Sequence, residues 1–127
     1  MTQKSASEAL NRWSQLLKWP ASSTLFLTGN AMAAYLIVDT DLTDPDRYED
    51  YKRQAKPLAE SYGGEYLVRG GAMSAKENDL WSPTRMVVVR FPSTEKANAF
   101  YESAQYQKIL EISRASARRT VVLVEGL

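Results

Sequence analysis

The stretch SYGGEYLVRGG, Ser61 to Gly71, holds a short strand-like run between two glycine pairs and ends it on Arg69. A guanidinium at a strand end can hold a carboxylate or an enolate oxygen through two parallel hydrogen bonds. Gly70 and Gly71 let the chain turn away sharply, in conformations barred to other residues, and leave that group unshielded. The alternative is an ion pair of Arg69 with Asp39, with Glu65 or across a dimer. This outweighs the ligand site, because buried charges need partners whatever the function. Arg90 and Asp39 are the other charges carried on β-favouring runs. Tyr48 follows a helix cap by one turn and could bring a phenol to a pocket; a tyrosine stripe at helical spacing (Tyr48, Tyr51, Tyr62) is more often core with a wetted tip. Trp81 lies in a long loop, either as a lid over a pocket or as the anchor of its own loop.

The residue types exclude much. The chain has no histidine and no cysteine, which removes the commonest general base, the commonest metal ligand, thiol nucleophiles and disulfides. No phosphate-binding loop, dinucleotide fingerprint or nucleophile elbow is present. Asp41, Asp44 and Asp46 resemble a calcium run, but Pro45 and the missing glycine and distal glutamate break it, so they read as helix-capping charge. No metal and no cofactor are expected. The 16 basic and 15 acidic residues leave a net charge of +1. No field gathers nucleic acid or an anionic membrane. Arg114, Arg118 and Arg119 near the end read as a solvated face. No apolar run approaches the roughly 20 residues that span a bilayer, and a cytoplasmic location is expected.

The elements that must position these groups follow from periodicity. Leu10, Trp13, Leu16 and Leu17 predict a leader helix from Ser7 to about Lys18, ended by Pro20. It reads as an amphipathic leader rather than a transit peptide. Residues 20–31 read as a linker, and Met32 as a second start, because everything after it reads as a complete domain. Two units are therefore expected, 1–31 and 32–127. AYLIVDT, Ala34 to Thr40, is a first strand. Asp44 and Pro45 open a helix kinked at Pro57 and closed at Gly63. Glu65 to Arg69 is a second strand, and a loop from Gly70 to Thr84 leads to a third, Arg85 to Phe91. Two helical segments follow, from Pro92–Ser93 to about Glu102 and from Ala104 to about Arg114. Thr120 to Glu125 is the last strand.

That order is βαββαβ, an α+β ferredoxin-like arrangement. Right-handed crossovers put the helices on one face of a four-stranded antiparallel sheet. The other face is bare and predicts a homodimer. Strand alternation assigns Asp39, Glu65, Arg69 and Arg90 to that bare face, and Leu36, Val38, Arg85, Val87, Val89 and Phe91 to the helix face.

AAYLIVDTDLTDPDRYEDY, GGEYLVRGG, RMVVVRFPSTEKANAFYES and VVLVEG resemble, in order and at natural spacing, the domain-of-unknown-function family 1330. The resemblance covers about three quarters of the chain, from Met32 onward, and implies the dimeric α/β-barrel superfamily, in which two ferredoxin-like sheets pack face to face. Superfamily relatives include cofactor-free oxygenases, isomerases and small-molecule dehydratases; the family itself has no settled activity. Relatives often carry a histidine where this chain has Tyr62, and the leader is not part of the family pattern.

Two functions fit. The first is a homodimer that binds a small organic, anionic molecule in a half-apolar pocket between sheet and helices. If catalytic, it is cofactor-free, with Arg69 stabilising negative charge and Asp39 or a tyrosine moving a proton. The second is a non-catalytic dimeric module whose charged face is interface cement. A closed cavity lined by Asp39, Arg69 and Arg90 favours the first; the same side chains paired with one another favour the second.

Overall fold

The structure is a computed structural model that describes residues 32–127. The leader helix and its linker lie outside the described residues. The first strand, β1 (Ala34–Leu42), leads into α1 (Pro45–Ser61). Asp44 caps that helix by accepting from the Arg47 N–H at 3.2 Å, and Pro45 sits where its missing N–H costs nothing. After the helix Gly63 takes φ +87°, the left-handed turn expected there. The chain returns through β2 (Glu65–Arg69) and, after the long loop, β3 (Met86–Phe91).

Ser93 caps α2 (Thr94–Glu102). Ser103 then breaks the helical run. Its hydroxyl donates back to the Phe100 carbonyl at 2.8 Å and accepts from the Tyr106 N–H at 3.1 Å, so one residue ends α2 and caps α3 (Ala104–Ser116). Finally β4 runs Ala117–Glu125, starting three residues earlier than the sequence suggests.

The four strands form an antiparallel sheet in the order β2-β3-β1-β4. Leu36, Val38, Val87, Val89 and Phe91 pack with Tyr48, Tyr51, Ala55, Phe100, Tyr106 and Leu110 from the helices in one core. Among the described residues no helix lies on the opposite sheet face. Its centre is Ile37, paired with Val88 on one side and Val122 on the other. Val68, Val122 and Val124 are exposed there.

One irregularity decides where a site residue goes. Glu65 pairs with Arg90 and Tyr66 with Val89, but Val68 pairs with Val88 and Arg69 with Val87. Leu67 is an extra residue, a β-bulge. One inserted residue reverses the alternation beyond it. Arg69 therefore shares the helix face with Tyr66 and Val87, and not the bare face with Asp39 and Arg90.

Candidate functional site

The residues singled out in the sequence fall into three separate places. Asp39, on the bare face, is fully engaged. Its carboxylate accepts from the Thr84 N–H (2.9 Å), the Thr84 hydroxyl (2.8 Å), the Arg85 N–H (3.0 Å) and the Trp81 indole N–H (2.8 Å). Burial works against its charge, but those donors outweigh it and lower the pKa from 3.8 to about 2. Asp39 and Trp81 thus form the anchor of the 70–84 loop, and the four donors that hold the Asp39 carboxylate ionised make it a poor proton acceptor. Arg90 faces Glu65 at 3.5 Å with both side chains half exposed, a pair worth little. An open hollow of about 350 Å³ lies beside Asp39, Asp41 and Thr84. Both of its acids are held, Asp39 by its donors and Asp41 by Arg118 at 3.2 Å.

Arg69 and Tyr48 meet instead on the helix face, in a cleft between the sheet, α1 and α3. Its walls are Leu36, Val38, Val87, Val89 and Val121 from the strands, with five tyrosines, Tyr48, Tyr51, Tyr66, Tyr101 and Tyr106. Ala55, Phe100, three arginines (Arg69, Arg85 and Arg119) and Lys52 complete the lining, which contains no carboxylate, although Lys52 is paired with Glu49 outside it at 3.0 Å. Arg69 stacks over the Tyr66 ring at 5.2 Å and reaches the Lys52 carbonyl at 3.5 Å; it makes no ion pair among the described residues. The expected pairing with Asp39 or Glu65 is absent because the bulge carries Arg69 to the other side of the sheet. Arg85 lies 6.0 Å from the Tyr48 ring centre. Gly70 has φ +73°, and a Cβ there would stand 2.7 Å from the Arg85 Nε. The glycine that frames Arg69 in the sequence therefore makes room for Arg85. Gly71 has only open space around it.

The deep end of the cleft holds a cluster that strand and helix spacing did not assemble. The Tyr51 and Tyr106 hydroxyls lie 2.7 Å apart, and the Arg119 guanidinium donates to both, at 2.9 Å and 3.1 Å. The guanidinium also sits 4.8 Å from the Tyr51 ring centre. Burial holds the Tyr51 pKa well above the usual phenol value, ahead of the lowering pull of Arg119. Burial likewise pushes Tyr66 up to about 12. Both stay protonated at neutral pH and serve as hydrogen-bond donors, not bases. The signal for Arg119 was there: counting back by twos from Leu123 and Val121 puts it on the helix face. Starting β4 at Thr120 hides it in a solvated tail. Tyr106 needs the Ser103 break, which sets the phase of α3.

The cleft has a free volume of about 40 Å³. That holds a water or two, or the oxygen-bearing end of a ligand. The cleft opens past Lys52, Arg69 and Arg85. Among the described residues no group of histidines, cysteines or carboxylates could hold a metal ion, and no helix is long and apolar enough to cross a membrane.

Comparison with known proteins places the fold. A protein of unknown function from Rhodopseudomonas palustris superposes with a TM-score of 0.63 at 13% identity, over 77% of this chain and 85% of that one. A dimeric ferredoxin-like protein of unknown function from Thermobifida fusca gives 0.53 at 16%, over 80% and 97%. SnoaB, a cofactor-independent oxygenase from Streptomyces nogalater, gives 0.51 at 10%, over 76% and 95%. No curated protein matches the sequence. The family model for the domain of unknown function DUF1330 matches residues 33–127. With the βαββαβ sheet and its bare face in hand, this chain belongs to the DUF1330 family.

Proposed function

We propose that this protein is a homodimer that binds a small organic anion in the cleft between the sheet, α1 and α3. One observation carries the reading: three guanidiniums, Arg69, Arg85 and Arg119, converge on a lining of aromatics and aliphatics that contains no acid. Lys52 is paired with Glu49 at 3.0 Å, but the three guanidiniums make no ion pair among the described residues, and such cations in a half-apolar cleft raise the local affinity for an anion. The tyrosine and valine walls suit a flat apolar body, and Arg69 and Arg85 suit a carboxylate at the open end. Any catalysis here would need no cofactor and would rest on the phenols and guanidiniums, since Asp39 is committed elsewhere. The homodimer is supported by the bare apolar sheet face and by dimeric neighbours such as the T. fusca protein.

A non-catalytic dimer is favoured by a different observation. Asp39 and Arg90 are paired structurally, and Arg69 does not join them in a common cavity. Titration of the ¹⁵N-labelled protein with 4-nitrobenzoate separates the two. Shifts confined to residues around Tyr48, Arg69, Arg85 and Arg119, weakened tenfold or more by Arg85→Gln, are the expected result. Shifts absent at millimolar probe, or unchanged in Arg85→Gln, would leave the dimer module as the function.

A further inference from the structure

Counting protons in the deep cluster shows a donor left over. Arg119 donates one N–H to each phenol oxygen, so Tyr51 and Tyr106 both act as acceptors toward it. The two hydroxyls carry two protons. One lies in the 2.7 Å bond between them. The other has no protein acceptor among the described residues, although Tyr51 and Tyr106 are 8% and 2% exposed. A buried hydroxyl proton without an acceptor is costly. Both side chains line the cleft, whose free volume of about 40 Å³ is that of one small polar group.

We infer that the Tyr51–Tyr106–Arg119 cluster is an oxyanion site, and that the ligand of the cleft is an enol or phenol bound there as its enolate or phenolate. Accepting from a guanidinium polarises each hydroxyl and strengthens the hydrogen bond it gives onward. The remaining proton then points at whatever oxygen enters the deep end. Arg119, which donates to both phenols, and the Arg69 and Arg85 guanidiniums of the same cleft favour that oxygen as an anion. No carboxylate lines the cleft to cancel this preference; Glu49 lies outside the lining and is paired with Lys52 at 3.0 Å. On binding, the ligand O–H bond ionises, its electron pair stays on oxygen, and the proton leaves to water. The raised pKa of Tyr51 keeps the phenol from giving up its own proton in exchange. This rests on the anion-binding reading above and names the chemistry of its inner end.

The test uses 4-nitrophenol, whose ionised form absorbs at longer wavelength than the neutral form. The ionisation of the bound probe is read by absorbance across pH, in parallel with the 4-nitrobenzoate titration. The expected result is a pKa for bound 4-nitrophenol lower than in water by roughly one unit or more, a tenfold gain in its ionisation constant. Tyr51→Phe/Tyr106→Phe, which keeps both rings and removes both hydroxyls, should abolish that shift, and the 4-nitrobenzoate titration of the same variant reads whether the rest of the cleft is intact. Should the double variant not fold, Arg119→Gln provides the second arm, with the same loss expected. If 4-nitrobenzoate binds but 4-nitrophenol ionises as in water, or keeps its shift in these variants, the oxyanion site is overturned and the anion-binding reading stands. If neither probe binds, both fall together.

Discussion

Asp39 shows how a charge that looks chemical can be structural. It sits on a strand with its carboxylate turned to the bare face, and the backbone of the 70–84 loop closes over it. Four donors on one carboxylate leave Asp39→Asn with weaker acceptors and an amide N–H facing another donor. A loss of about 1 kcal/mol is expected, discounted for the part-exposed setting, or roughly 4–8 °C in Tm for a domain of this size. Its pH dependence has a defined sign. The folded pKa lies below 3.8, near 2, so the contribution is present in full above 3.8 and fades as pH falls through about 2. Urea unfolding of parent and variant should differ at pH 6 and converge near pH 2; a gap that stays constant over that range would refute the role. Gly70 and Gly71 divide just as clearly. Gly70→Ala meets both a positive φ and the Arg85 guanidinium, so a loss of about 1–2 kcal/mol is expected. Gly71→Ala has open space and should stay within about 0.5 kcal/mol of the parent. Thermal melts of the two variants check the contrast.

At the scale of elements, regular periodicity was legible and its interruptions were not. β1, α1 with its Asp44–Pro45 start, the Gly63 turn and the apolar face ending in Phe91 can all be read from spacing, because burial repeats every 2 or 3.6 residues. Spacing misplaces the site at the two points where it changes. Leu67 inserts one residue into β2 with no glycine or proline to mark it, and so simple alternation puts Arg69 on the wrong face. The start of β4 is hidden because Arg118 and Arg119 look like a solvated pair, when one salt-bridges Asp41 and the other enters the cleft. The bulge makes its own prediction. Removing Leu67 takes out only the unpaired residue, so Tyr66 and Arg69 should stay on the helix face and Val68 on the other. Cross-strand NOEs between residues 69 and 87 should survive the deletion, along with 4-nitrobenzoate shifts at Arg69. Their loss would mean that the bulge, and not the pairing on either side of it, holds Arg69 in the cleft.

For the whole molecule, the decisive feature is the sheet face that no helix among the described residues covers. Tyr35, Ile37, Met86, Val88, Val122 and Val124 lie across it, with Glu65–Arg90 at one edge and Asp41–Arg118 at the other. An apolar centre ringed by paired charge is the anatomy of a protein interface rather than of a solvated sheet. The same arrangement keeps the cleft and the proposed dimer interface independent, since they lie on opposite faces of one sheet. Ile37, Val88 and Val122 form the row at the middle, where a buried charge would find no partner. Val122→Lys places an ammonium on that row without touching the helix-side core, because Val122 points away from it and is 47% exposed in the single chain. The monomer fold should therefore survive while association weakens by about 3 kcal/mol or more, roughly a hundredfold in Kd. Sedimentation velocity at micromolar concentration should show a dimer for the parent and a monomer for Val122→Lys, with unchanged far-UV circular dichroism and unchanged 4-nitrobenzoate shifts. A parent that sediments as a monomer would remove the bare face as an interface. A dimer that tolerates Val122→Lys would move the interface elsewhere, to the loop that exposes Leu80 and Trp81.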